Sequence, residues 1–247
     1  MTSAGGPLFG VCLVFGLIAL SLLALRLSET SRERRSGLGL RQVAGTFGAL
    51  LRDPAYVGPA LFFGCVMAAI FATQAAIPYL LVEVLGGSAT EYGTWFAVLC
   101  AFYVAGNYVS GRWGKRIGPV KLIFLSGAGC LAAALGGLAA AGMLTLRPVL
   151  LFVPGIVLYF AGALAIAPVQ AEAVAAQPRH AGSASGLMSA MQMLIGAVVV
   201  QTMGFAQDGT PYPMFGAVAG CTALALVAML YARAAHRRAA VAAAATA

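Results

Sequence analysis

Long apolar stretches alternate with short polar ones along the whole chain. The stretches at about 7–26, 57–82, 92–111, 119–143, 148–171, 183–206 and 212–233 each approach the roughly 20 residues with which an α-helix crosses the hydrocarbon of a bilayer. They are continuous instead of alternating at every second residue, and a spanning segment has to satisfy its own backbone hydrogen bonds, so a helix bundle is selected over a β-barrel. The pattern predicts an all-α membrane protein with seven transmembrane helices. Pro59, Pro78, Pro154 and Pro168 fall inside these spans, where kinks are expected and neighbouring helices can re-satisfy the freed carbonyls. Between the spans the connectors are short, except that 27–56 is long enough to carry a surface helix.

Composition agrees with that medium. Hydrophobic residues are 61% of the 247 positions and charged residues 9%, against the roughly 25% usual in soluble domains. A net charge of +8 would suit nucleic acid only if the cations formed one continuous face. Here they fall in short clusters, so no nucleic-acid partner is expected and the charges report topology. With the first helix running outside to inside, Arg26, Arg32, Arg34, Arg35, Arg41 and Arg52 lie inside, with the cluster Arg112, Lys115, Arg116 and Lys121. Arg179, Arg233, Arg237 and Arg238 join them, so fourteen of fifteen cations are cytoplasmic and Arg147 is the exception. The amino terminus is then outside and the carboxyl terminus cytoplasmic. The opening "MTSAGGP" lacks a positive n-region, and Arg26 stands where a small-residue cleavage site would be, so 1–26 is expected to be a retained helix.

Aromatic residues repeat the assignment: Trp95, Tyr79, Tyr92 and Tyr212 form an outer belt, with Trp113, Tyr56, Tyr108 and Tyr231 an inner one. Ladders of small residues at every fourth position, Gly182–Gly186–Ala190, Gly216–Gly220 and Ala132–Gly136–Ala140, are expected to let helices approach closely, the first above all. Cys12, Cys65, Cys100, Cys130 and Cys221 are scattered singly, and His180 and His236 lie in or beside basic loops, so no metal or cofactor is expected.

Polar residues at membrane depth are the candidates for function. Gln74, Asn107, Gln170, Gln192 and Gln201 are amides within spans, each expected to face the bundle interior or a wet cavity. Interhelical hydrogen bonding is the competing reading for each. Gln74 and Gln192 lie nearest the middles of their spans and form the preferred cavity-lining pair, with Phe71 and Phe102 as an aromatic wall. Glu172, in "PVQAEAVAA", is the one acid placed to sit within the bilayer boundary and exchange protons; a solvated position one turn into the loop is the alternative.

Several stretches resemble a known family. In "GRWGKRIGPVK", Gly111, Arg116 and Gly118 fall at the first, sixth and eighth places of the G-x-x-x-D-R-x-G-R-R loop motif of major facilitator superfamily transporters, with Lys115 where the family has Asp. "AGSASGLMSAMQMLIGAVV", 181–199, resembles helix eleven of the Bcr/CflA-like branch of drug:proton antiporters. "FATQAAIPYLLVEVLGGSATEYGTWFA", 71–97, is similar to that branch's helix seven and the loop into helix eight, and "RLSET", 26–30, to the close of helix six.

The resemblance implies the second half of a twelve-helix fold plus the helix before it. Residues 1–26 would be helix six, 27–56 the cytoplasmic central loop, 57–233 the C-terminal six-helix half and 234–247 a cytoplasmic tail. It further implies efflux of small lipophilic compounds by proton antiport across a bacterial inner membrane. The loop motif would latch the cytoplasmic side, a role that Lys115 puts in question. The partners are the bilayer, a small lipophilic substrate and protons, and the chain is expected to be either a truncated product or a half-transporter that needs a separately encoded N-terminal half. A seven-helix small-molecule receptor and a non-transporting remnant are the other readings; retinal binding is disfavoured because Lys115 and Lys121 both lie in the cytoplasmic cluster. No Ser/Lys, paired Asp or His/Glu constellation occurs in the spans, so an enzyme is not expected.

Overall fold

A computed structural model describes residues 5–26, 40–143, 145–176 and 180–245. Arg32, Arg34, Arg35 and Arg179 lie outside the described residues, as does the first part of the expected central loop, 27–39. The described residues are helical apart from short turns. They form α1 (Gly5–Arg26), α2 (Leu40–Arg52), α3 (Pro54–Tyr79), α4 (Ala89–Ile117), α5 (Pro119–Met143), α6 (Pro148–Ala175), α7 (Ala181–Ala206) and α8 (Tyr212–Ala245). The chain divides into two units, Met1–Leu40 and Arg41–Ala247. In the first, α1 is an apolar helix with Phe15, Leu17 and Leu25 exposed.

In the second unit, α2 is the surface helix expected within 27–56; Phe47 and Leu50 on its apolar face join the core. Asp53 then caps α3, its Oδ1 accepting from the Ala55 amide at 2.9 Å, and Pro54 at the first helical position supplies the fixed φ that a helix start favours. All four prolines named above lie inside helices, Pro59 and Pro78 in α3 and Pro154 and Pro168 in α6. Past Pro78, α3 loosens into a π-helical turn, Leu80–Val84, with Leu85 N bonded to Leu80 O at 3.1 Å. Gly118 makes the turn from α4 to α5 at φ +90°, a conformation open to glycine alone at little cost, and Pro119 starts α5 directly.

Among the described residues, five helices are long and apolar enough to cross a membrane: Pro54–Val84, Pro119–Met143, Pro148–Ala175, Ala181–Ala206 and Tyr212–His236. The other two expected spans differ for stated reasons. α4 has 29 residues, but Tyr92, Trp95, Tyr103, Asn107, Tyr108 and a basic last turn make it more polar. In α1 the described apolar stretch is the shorter Leu13–Leu22.

α3 is the central helix of the second unit, packed against α6, α7 and α8, and 78% of its apolar window is buried; for α7 the figure is 17%. Lipid gives little hydrophobic reward for helix contact, so dense packing and interhelical hydrogen bonds hold such a bundle together. Backbones meet where a side chain would collide: Gly58 of α3 against Ala228 and Ala232 of α8, and Gly106 of α4 against Phe160 and Ala163 of α6. Tyr56 Oη donates to the Ala184 carbonyl at 2.7 Å, tying α3 to α7, and Ser110 Oγ donates to the Leu164 carbonyl at 2.7 Å, tying α4 to α6.

The expected small-residue ladders are not these contacts. A Cβ at Gly182, Gly186, Gly216, Gly220 or Gly136 meets nothing within 4 Å. Spacing marks a stripe on which backbones could approach; whether a neighbour occupies it depends on how the helices are arranged.

Candidate functional site

Along the buried stretch Phe62–Ile77 of α3, every residue is buried except Phe71, Gln74 and Ala75. With Pro78 these recur at i, i+3, i+4 and i+7, one open stripe on an otherwise enclosed helix. Gln74 is the exposed member and its carboxamide is the polar group the stripe presents. The Phe71 ring lies against α7 at Gly196, where an added Cβ would sit 2.5 Å from ring carbon Cδ2.

Beside Gln74 lies a residue that the sequence reading passed over. Tyr159 of α6 is 3% exposed, and its hydroxyl has no hydrogen-bond partner among the described residues. The Thr73 and Gln74 side chains approach that hydroxyl but fall short of hydrogen-bond geometry, and the Thr73 Oγ1 proton goes to the Ile70 carbonyl at 2.7 Å. Tyr103 of α4 meets the Tyr159 ring edge-on, with centroids 6.3 Å apart and planes at 72°. Asn107 Nδ2 donates at 3.0 Å to the Tyr103 carbonyl one turn back, so this amide is satisfied within α4 and does not bridge helices. The signal was present: of the eight tyrosines, only Tyr103 and Tyr159 fall in neither aromatic belt, and these are the two that meet.

The other sequence candidates are spread out. Gln192 packs its backbone against α3 at Gly64, ten residues from Gln74, or roughly 15 Å at 1.5 Å per residue. The preferred pair Gln74 and Gln192 therefore shares a helix contact but not a level. Gln170 and Gln201 are exposed, and neither they nor Gln192 hydrogen-bonds another described residue. Phe102 is 41% exposed on α4. Gly111 and Arg116 are exposed near the end of α4, and Gly118 of the same motif is the turn residue already described.

Glu172 is neither free nor near Gln74. Its Oε1 accepts from Arg233 Nη2 of α8 at 2.6 Å, with the side chains 24% and 34% exposed respectively. The pair borders a cavity of about 290 Å³ that includes Ala55, Pro59, Met229 and His236. Thirteen residues separate Glu172 from Tyr159, roughly 20 Å along α6. Partial exposure screens the pair, so Glu172→Gln should lower stability by only about 1 kcal/mol, read as a small fall in Tm in detergent. Glu172→Arg combined with Arg233→Glu should recover most of it.

The family model described as Major Facilitator Superfamily matches residues 3–201. The chain is 27% identical over 223 residues to "Uncharacterized MFS-type transporter YdgK" of Bacillus subtilis (strain 168), covering 88% of this chain and 54% of that protein. It is 27% identical over 236 residues to "Multidrug transporter MdfA" of Edwardsiella piscicida, covering 91% of this chain and 56% of that protein. An MdfA of Edwardsiella tarda (strain FL6-60) matches to the same extent. The chain thus spans about half the length of the curated relatives it matches.

Proposed function

Since this chain belongs to the major facilitator superfamily of membrane transporters, we propose that it exports small lipophilic compounds by proton antiport, in the manner of the Bcr/CflA-like branch. In this reading α3 to α8 form the C-terminal six-helix half and α1 is the helix before it, with the boundaries 1–26, 27–56, 57–233 and 234–247 taken from the sequence. The α4–α5 turn lies on the cytoplasmic side of a bacterial inner membrane, the amino terminus outside and the carboxyl terminus inside. The open stripe of α3 and the sparsely buried α7 face an opposing half, encoded upstream or on a separate chain. The printed name of the Edwardsiella relatives supports the multidrug part of the reading.

The observation that carries the substrate site is the Tyr159 hydroxyl, buried without a partner among the described residues, next to Gln74 and the Tyr103 ring, with Phe71 one turn from Gln74 on the open stripe. A lipophilic substrate with one polar group would pack on the rings and bond to the hydroxyl and amide. Asn107 and Gln170 extend this surface towards the cytoplasm, and Gln192 of α7 joins it at another level, against Gly64 of α3. Glu172 is the acid we assign to proton exchange: when protonated it releases Arg233, and when ionised it holds it.

The test is ethidium accumulation in cells producing the transporter in its native gene context, with and without a protonophore. Accumulation should fall only in energised cells; no fall from the assembled transporter overturns the reading. Gln192→Leu should reduce efflux a few-fold while leaving membrane insertion intact, and unchanged efflux would leave Gln192 a packing residue. Glu172→Gln should uncouple efflux from the pH gradient; a purely structural pair would leave the coupling in place.

A further inference from the structure

We propose that the groove between α5 and α6 binds one anionic phospholipid, an acyl chain in the groove and the phosphate at Arg147. The proposal stands apart from the transport site and does not depend on it.

The groove has a volume of about 820 Å³. Ala132, Gly136 and Ala140 form its α5 side, and Val149, Val153 and Val157 its α6 side. It exists because α5 offers only methyl groups and hydrogens there, while the branched valines of α6 stand up along the other wall. A Cβ built on Gly136 meets nothing within 4 Å, so among the described residues no side chain crowds the groove floor at this point. The surface around a spanning helix is acyl chain, and a chain filling the groove gains the dispersion contacts that an empty one forfeits.

Polarity sets this groove apart from the substrate face. Successive residues turn by about 100° around a helix, so Tyr159 points roughly 200° away from Val157, and Gln170 returns to within about 20° of Tyr159. The polar side of α6 and the grooved side are thus opposite, and the groove side is wholly apolar until its mouth.

At the mouth stand Thr145 and Arg147. Arg147 is exposed, and its guanidinium makes no ion pair or hydrogen bond among the described residues. It is also the residue preceding α6, where no side chain caps the helix and Pro148 at the first position has no N–H. Two sources of positive potential therefore lie at this end of α6: a free guanidinium, and the Val149 amide of the first turn, since Pro148 has no N–H and the Leu150 amide donates to the Arg147 carbonyl at 2.9 Å. Arg147 is the single cation of fifteen that the topology places opposite the others. A phosphate held between Arg147, the Thr145 hydroxyl and the α6 N-terminus accounts for the charge, and the chain attached to it accounts for the trough. A zwitterionic headgroup would add an ammonium beside the guanidinium, and a free phosphate would leave the trough empty.

The test uses the full chain in detergent, with bound lipid read by native mass spectrometry after exchange against phosphatidylglycerol or phosphatidylcholine. The wild type should retain one phosphatidylglycerol about fivefold more strongly than phosphatidylcholine, in keeping with one charge-assisted contact. Arg147→Gln should abolish that preference, and Gly136→Leu, whose Cβ meets nothing within 4 Å and whose side chain occupies the trough, should weaken both lipids. Inorganic phosphate in excess should not compete. Equal retention of the two lipids by the wild type, or unchanged phosphatidylglycerol binding in Arg147→Gln, overturns the proposal. Unchanged binding in Gly136→Leu, or displacement by inorganic phosphate, overturns the acyl-chain assignment in favour of a bare anion site. Size-exclusion profiles confirm that each variant is folded, so a loss of lipid reports on the groove.

Discussion

Gly106→Val should leave little folded protein. A Cβ at this position would strike the Phe160 carbonyl oxygen and lie 2.8 Å from the Ala163 methyl, and a backbone atom cannot swing aside as a side-chain tip can. α4 would have to lift from α6, stretching the Ser110 hydrogen bond to the Leu164 carbonyl one turn further on and separating Tyr103 from Tyr159 one turn back. Overpacking of this kind costs about 3 kcal/mol, a large share of the stability of a domain. The expected result is a marked fall in the monodisperse fraction and in Tm after detergent extraction. Gly136→Val is the control, since its Cβ meets nothing, and it should extract like the wild type. A wild-type profile for Gly106→Val would refute the close approach of α4 and α6.

Tyr159→Phe should do the reverse, preserving the fold and impairing transport. The substitution keeps the ring, its packing and its edge contact with Tyr103, and removes a single hydroxyl. Since that hydroxyl is buried without a partner among the described residues, its loss relieves a desolvation cost of about 1–3 kcal/mol, so Tm should hold or rise. If the hydroxyl bonds to substrate in the exported state, efflux should drop roughly tenfold, the value of one well-placed hydrogen bond. Gln74→Leu should lower efflux as well, and the double variant should fall short of the summed effects because the two groups serve one ligand. Wild-type efflux from Tyr159→Phe would remove Tyr159 from the substrate site.

How far the site could be read in advance follows from what each residue type reveals. Gln74 was visible because an amide in an apolar span stands out whatever surrounds it. Tyr159 showed only as a tyrosine outside both aromatic belts, which aromatic packing explains equally well, and its contacts alone show that its hydroxyl has no partner among the described residues. Glu172 was visible as an acid, but not its pairing with Arg233, because the partner lies 61 positions away. The same holds for packing. The ladder Gly182–Gly186–Ala190 had the spacing of an interface yet is open, while Gly58, which has no small residue four positions away on either side, and Gly106, outside the three named ladders, sit where helices touch.

By itself, then, the order of residues determined the medium, the helices and most of their ends. Apolar length is a local property set against the thickness of a bilayer, and a proline start such as Pro54, Pro119 or Pro148 acts within one turn. Tertiary structure decided which stripe of each helix is covered. In lipid every stripe is apolar enough to face either a neighbour or a chain, so hydrophobicity does not choose between them. The choice falls to the fit of backbone against backbone at a few glycines. That fit exists only once α3 is enclosed by α6, α7 and α8, and with it come the open stripe at Gln74 and the empty groove above Gly136.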